Sequence, residues 1–252
     1  MRQYFSFVFK SYRPLPSNIK LKRYQQLRSK KFRQKYGLFV VEGLKSVNEL
    51  VQSNWPVETI LCTPAFLERY GEQIDFEFDL VSTEEFAATS HLANPQEVLA
   101  IAQFHEPHHQ ESKWQIALDG INDPGNLGTI IRIADWYGIN TIYCSSDTVE
   151  FYNSKVIQST MGSFIRVKVI PGDLKDLLKG KNVFATLLDG SNIRNISKNE
   201  SGVILIGNEA NGISKETLDG ITYEAVTIPG SGTTESLNAA MATAICCERL
   251  VV

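Results

Sequence analysis

From Trp114 onward the chain alternates short apolar runs with helical patterns, and this alternation restricts the fold more than any other feature of the sequence. Trp114 to Leu118, Thr141 to Cys144, Phe164 to Ile170, Val183 to Leu188, Gly202 to Gly207 and Ala225 to Ile228 read as strands. Helical segments fall between them at about Leu127 to Tyr137, Lys155 to Met161 and Leu174 to Leu178, and Leu237 to Leu250 closes the chain. The run Gly202-Val203-Ile204-Leu205-Ile206-Gly207 carries no polar side chain, as expected of a strand covered on both faces. Strands joined through helices predict an α/β fold with a mostly parallel sheet.

A smaller α/β domain is expected over residues 19–104. It opens with a basic helical stretch, Ile19 to Tyr36, in which Leu21, Tyr24, Leu27 and Phe32 recur at about helical spacing. Phe39-Val40-Val41-Glu42-Gly43 is a buried strand running into a turn, and Leu44, Val47, Leu50 and Val51 mark the next helix. Ser82 with Glu85 three residues later is a capping box. Residues 105–113 are polar and aperiodic and read as a linker, leaving 114–252 as the second domain. Residues 1–18 are expected to be a flexible extension, since Pro14 and Pro16 interrupt any helix there.

Charge is unevenly distributed. Residues 1–40 hold eleven Lys or Arg and no acid, whereas the remainder holds 14 basic and 28 acidic side chains. A basic segment on an acidic body suggests a handle for a polyanion, although a solvated basic helix reads the same way. No apolar run approaches the roughly 18 residues of a membrane span. The four cysteines form no CxxC pair, and three histidines in a polar linker (His105, His108, His109) lack the further partners of a metal site. No metal and no membrane are expected, and the cytoplasm is the simplest location.

Ligands on parallel sheets bind beyond the carboxyl ends of the strands. Three segments there have unusual composition. The first, Asp119-Gly120-Ile121-Asn122-Asp123-Pro124-Gly125-Asn126, leads into a helix whose apolar run is broken by Arg132. That arginine needs an anionic partner: a ligand, or an acid such as Asp135 or Glu209. The second is Gly207-Asn208-Glu209-Ala210-Asn211-Gly212, where Gly207 permits close approach to the backbone, by a ligand or by an ordinary tight turn. The third, Ile228-Pro229-Gly230-Ser231-Gly232-Thr233-Thr234-Glu235-Ser236-Leu237-Asn238, places Ser236 and Asn238 at a helix start, as caps or as ligand contacts. A dinucleotide fingerprint lacks its third glycine here and no phosphate-loop motif exists, which argues against a generic nucleotide-binding enzyme such as a dehydrogenase.

Together and in this order, the three segments resemble the signature motifs of the SpoU methyltransferases, a branch of the SPOUT superfamily, over about residues 115–250. Thr160-Met161-Gly162-Ser163 resembles another of the family's stretches, and the N-terminal domain is similar to a ribosomal-protein-like (L30e-like) substrate-binding domain. Departures are conservative: Gly230 stands where methionine is frequent, and Ala239-Ala240 where Val-Ser is.

The resemblance implies a C-terminal α/β domain with a trefoil knot, a homodimer whose active site is completed at the subunit interface, and S-adenosylmethionine as cofactor. It implies methyl transfer to a ribose 2′-hydroxyl of structured RNA, with ribosomal RNA favoured. Transfer RNA and a catalytically inactive RNA-binding homologue are the alternatives. The catalytic positions it implies are Asn126, Arg132, Glu209, Ser236 and Asn238, with Glu209 pairing with Arg132 as one way of ordering the site. The implied cofactor contacts are Leu187, Leu188, Gly207, Ile228, Leu237 and Asn238. Lys20, Lys22, Arg23, Arg28, Lys30, Lys31 and Arg33 are expected to hold RNA phosphates.

Overall fold

The computed structural model describes residues 12–13, 17–107, 110–197, 200–234 and 236–252. They form two compact units. The first holds the described residues up to His105 together with Tyr152–Gly162, and the second holds Glu106–Phe151 and Ser163–Val252.

In the first unit, helices α1 (Asn18–Gln25) and α2 (Lys30–Tyr36) precede strand β2 (Leu38–Glu42). The continuous helix expected over Ile19 to Tyr36 is thus broken: a 3-10 turn spans Gln26–Arg28 and Ser29 is extended at φ −90°, ψ 131°. Then follow α3 (Leu44–Gln52), β3 (Val57–Cys62), α4 (Pro64–Tyr70), β4 (Phe78–Leu80), α5 (Thr83–Thr89) and β5 (Val98–Gln103). A two-residue strand β1 (Tyr12–Arg13), in the stretch expected to be a flexible extension, pairs with β4 at the edge of a sheet ordered β1-β4-β3-β5-β2. The rest of that stretch, apart from Ser17 and Asn18, lies outside the described residues. Leu21, Tyr24 and Leu27 are buried against Leu38, Val40, Phe86 and Ile101, so the basic helix is anchored by its apolar stripe. Phe32 is only half-buried. The Ser82 capping box forms as the sequence predicts, with Ser82 N donating to Glu85 Oε2 at 2.9 Å and Glu85 N donating to Ser82 Oγ at 3.2 Å.

In the second unit a six-stranded parallel sheet has the order β11-β9-β10-β6-β7-β8. The strands are β6 (Trp114–Asp119), β7 (Thr141–Cys144), β8 (Lys168–Pro171), β9 (Val183–Asn192), β10 (Gly202–Gly207) and β11 (Glu224–Thr227). Every ladder between them is parallel among the described residues. The helices are α6 (Pro124–Trp136), α8 (Leu174–Leu177), α9 (Lys215–Asp219) and α10 (Ala239–Leu250), while α7 (Ser154–Thr160) belongs to the first unit. The expected strand Phe164 to Ile170 is shorter, because Ser163–Ile165 turns as a 3-10 helix before β8 begins.

Strands β6 and β10 are fully buried but for Gly207, and they sit at the centre of the sheet. This is why their sequences are apolar almost throughout. Among the described residues no helix is long and apolar enough to cross a membrane.

Candidate active site

The three unusual segments meet at the carboxyl ends of β6, β10 and β11. Register places Gly207 beside Asp119 at the ends of β10 and β6, so the first two segments leave the sheet side by side. Asp123 caps α6 by accepting from Asn126 N at 2.8 Å, with Pro124 in the first turn. Helix α6 therefore starts before Asn126, and its first turn presents that side chain to the neighbouring loops. Asn126 Nδ2 donates to Glu209 Oε1. Asn238 Nδ2 donates to Asn126 Oδ1 at 2.8 Å. Ser236 Oγ donates to the Glu209 carbonyl at 3.5 Å. Asn238 also caps α10, its Oδ1 accepting from Ala240 N at 3.0 Å and Met241 N at 3.3 Å. Capping and cross-linking are thus one arrangement, and four of the five expected catalytic side chains belong to one network.

Arg132 is the fifth and stands apart. It is exposed and, among the described residues, makes no hydrogen bond or ion pair. Six residues along a helix place it roughly 240° around the axis from Asn126. The two acids that the sequence offered it are engaged elsewhere: Asp135 with Arg166 at 2.8 Å and Glu209 with Asn126. Within one chain, then, Glu209 bonds Asn126 and not Arg132.

Two supports were not singled out from the sequence. Asn208 Nδ2 donates to the Gly120 carbonyl at 2.8 Å, while its Oδ1 accepts from Ala210 N at 2.9 Å. The buried carboxylate of Asp119 accepts from Ser214 N at 2.8 Å. Both bind the loop after β10 to the end of β6. Their signal was present as polar residues at the last position of a buried strand or just beyond it, where an unpaired group is costly.

The expected cofactor positions gather at the ends of β9, β10 and β11. Ala225 pairs with Ala185, but the next residue, Val226, pairs with Ser191. Thr186 to Gly190 thus form an excursion opposite a single step of β11. Gly190 makes the return possible, since a Cβ there would lie 2.5 Å from Val226 N. The excursion carries Leu187, packed on the core of the unit, and Leu188, which is 83% exposed. Ile228 follows the end of β11 directly and is half-buried. Leu237 is 48% exposed.

Gly207 has a different reason for being glycine than ligand approach. A Cβ there would meet the backbone of Gly212 at 2.2 Å and of Ile213 at 2.3 Å, so the loop's own return fills that space. Between residues 229 and 237 no backbone-to-backbone hydrogen bond forms among the described residues. Apolar side chains left open beside free backbone N–H and C=O groups fit an adenosyl ligand held by its purine faces and edges. A separate cleft of about 400 Å³, lined by Lys179, Lys181, Asp219 and Thr222, lies before β9 and β11, at the amino ends of the strands. It is at the wrong end of the sheet for this chemistry. Among the described residues no cluster of His, Cys, Asp or Glu could hold a metal ion.

On the first unit, Lys20, Lys22, Lys30 and Lys31 are exposed. Arg23 pairs with Glu58 at 2.5 Å and Arg28 donates to the Ser90 carbonyl, so both are partly engaged. Arg33 departs from expectation. It is 4% exposed, and its Nη1 donates to the carbonyls of Leu27 at 2.8 Å and Arg28 at 2.9 Å, closing the 3-10 turn. A guanidinium used this way is not available to a phosphate.

Known proteins carry the same organisation. Residues 113–248 match the profile described as SpoU rRNA Methylase family, and residues 18–100 that of an MRM3-like substrate binding domain. The chain is 30% identical to the 23S rRNA (guanosine(2553)-2′-O)-methyltransferase RlmP of Bacillus subtilis, covering 90% of this chain and 94% of that protein. It is 27% identical to a 23S rRNA (uridine(2479)-2′-O)-methyltransferase of Streptomyces viridochromogenes, covering 90% and 88%. Among solved structures, an AdoMet-bound rRNA methyltransferase from Sinorhizobium meliloti superposes with a TM-score of 0.81 at 30% identity, covering 95% of this chain and 97% of that one.

Proposed function

Because this chain belongs to the SpoU rRNA methylase family, we propose that it transfers a methyl group from S-adenosylmethionine to a ribose 2′-hydroxyl of ribosomal RNA. The observation that carries this reading is the Glu209–Asn126–Asn238 chain of hydrogen bonds, which ties three distant segments together at the carboxyl end of the sheet. The reading includes a knotted C-terminal segment. It is supported by α10 packing on both α6 and β10 and by the fold shared with the Sinorhizobium meliloti enzyme.

S-adenosylmethionine supplies a methyl group already activated by a positively charged sulfur. The protein has to align the hydroxyl and let its proton leave. A guanidinium offers five N–H donors and no acceptor, so Arg132 is no base. Its fork of donors holds the neighbouring phosphate and polarises the hydroxyl, and the phosphate accepts the proton. Asn126, Glu209, Ser236 and Asn238 fix the loops against which the nucleotide rests.

Arg132 does this work in a dimer. Trp136, one helical turn beyond it, is 85% exposed, and Met241 on the adjoining α10 is 59% exposed. An indole left open on the helix that carries Arg132 supports an interface on that face of α6. Homodimerisation through this face brings one subunit's Arg132 to its partner's Asn126 network, which explains an arginine exposed and unpaired in a single chain. RNA is gripped by Lys20, Lys22, Lys30 and Lys31. The cytoplasm, where ribosomal RNA is found, is the proposed location.

Methyl transfer from labelled S-adenosylmethionine to unmodified bulk RNA, followed by alkaline hydrolysis, tests the reading. A 2′-O-methyl group removes the internal nucleophile, so label is expected in alkali-resistant dinucleotides from the ribosomal size fraction. Label in mononucleotides would mean base methylation and would overturn it. Label confined to the transfer RNA fraction would move the substrate.

A further inference from the structure

The first unit presents an aromatic pair of which the core takes only one ring, that of Tyr36. Phe32 and Tyr36 stand one turn apart on α2, with ring centroids 6.0 Å apart and planes inclined by 19°. Both are half-buried, whereas Leu21, Tyr24 and Leu27, on the same basic segment, are enclosed. Tyr36 is held in place: it packs on the edge of the core, its hydroxyl donates to Gln26 Oε1 at 3.1 Å, and the Arg23 guanidinium lies 5.4 Å from its ring centre. Lys35 Nζ sits 5.3 Å from the Tyr36 centroid and Lys31 Nζ 5.9 Å from that of Phe32. Phe32 is thus the open end of a fixed stack, flanked by cations on a segment that contains no acid between residues 1 and 40.

A solvated basic helix needs no aromatic rings on its outer side. A surface that only grips phosphates gains nothing from them either. Rings of this kind bind flat π-systems, and positive charge beside them selects one attached to a polyanion. Duplex RNA keeps its bases stacked inward, so only an unpaired base reaches such a ring.

We propose that Phe32, backed by Tyr36, is a stacking platform for an unpaired base of the RNA substrate, and that Lys31 and Lys35 hold the phosphates on either side of that base. This rests on the reading of the chain as an RNA-modifying enzyme, and it gives the N-terminal unit a preference for looped or single-stranded RNA over duplex. Relatives of similar distance are named for guanosine and for uridine targets. Transfer to a ribose hydroxyl does not depend on the base, so selection has to come from surfaces of this sort.

The test uses the full-length protein and RNA oligonucleotides of equal length and charge, one a hairpin with 2-aminopurine in its loop, the other a blunt duplex. Wild type is expected to bind the hairpin more tightly and to quench the 2-aminopurine. Phe32→Leu keeps an apolar side chain and removes the π-face. It is expected to lose about tenfold in hairpin affinity and the quenching, with duplex affinity unchanged. Tyr36→Phe keeps the stack and is expected to behave as wild type. Thermal unfolding of each variant separates loss of the ring from loss of the fold. Equal quenching and affinity in wild type and Phe32→Leu would overturn the platform while leaving RNA methylation intact. Absence of RNA binding and of methyl transfer in wild type would instead overturn the reading beneath it.

Discussion

At the scale of single residues, the site separates side chains that hold the structure from one that does not. Asn126, Glu209 and Asn238 satisfy one another, so removing any of them disturbs the fold as well as the chemistry. Arg132 has no such duty. Arg132→Ala is expected to change stability by no more than about 0.5 kcal/mol, as for an exposed side chain without partners. Arg132→Lys, which keeps the charge and loses the planar fork, is expected to lower kcat about a hundredfold with cofactor binding unchanged. Full activity in the lysine variant would remove the positioning role.

A second residue-scale prediction concerns pH. Burial, reinforced by Arg28 and Arg33 nearby, holds the His91 imidazole down at about 4, and no hydrogen bond reaches its ring nitrogens in the described structure. The unfolded chain binds that proton near pH 6.5. The contribution of neutral His91 is therefore complete above about pH 6.5 and is lost as pH falls toward 4. Glu42 works in the opposite sense, since burial raises its carboxyl. The rise in denaturant midpoint from pH 5 to pH 7 should be smaller in His91→Leu than in wild type.

At the scale of elements, strand ends carry the information. The apolar run of β10 and the alternation around it made the parallel sheet legible, because strands buried on both faces leave no freedom in composition. Glycine and asparagine after β6 and β10 marked the loops that meet at the candidate site. Partners across the site were not legible. Nothing in the spacing of Asn126 and Glu209 says that their side chains meet, since that depends on β6 and β10 being neighbours in the sheet. The direction of Arg33 was hidden for a similar reason: a break at Ser29 turned it inward, and helical periodicity carries no sign of that break. Gly207 sits at such a strand end. Gly207→Ala would drive a methyl into the Gly212–Ile213 backbone and is expected to cost about 3 kcal/mol. A fall of several degrees in Tm would register it.

At the scale of the whole molecule, Arg132 and the Asn126 network should be separable between subunits. Arg132→Ala and Asn126→Ala are each expected to be nearly inactive. Mixed and reassociated, they should recover about a quarter of wild-type activity if the proposed homodimer forms, because half of such dimers would be hybrids with one intact site each. No recovery in demonstrated hybrids would place Arg132 in its own subunit's site. Grip on RNA is a second whole-molecule property. Removing residues 1–36 is a poor probe of it, since Leu21, Tyr24 and Leu27 would leave the core with them. Replacing Lys20, Lys22, Lys30 and Lys31 by Gln keeps the fold. It should flatten the dependence of log affinity on log salt by roughly 0.7–0.9 per lysine.

The helix α7 sits late in the sequence yet folds with the first unit, burying Val156, Ile157 and Thr160 beside β2. Tyr152, just ahead of it, stacks on Phe104 with centroids 3.9 Å apart. The polypeptide therefore leaves the first unit, builds two of the six strands of the second sheet, comes back, and leaves again. Neither unit is a cassette that one cut can release. An exchange of substrate-binding domains between two such enzymes, by an engineer or by recombination, has to transplant residues 152–162 as well. A graft that ends at His105 would inherit a foreign helix on its sheet, and its first symptom would be insolubility rather than altered choice of RNA.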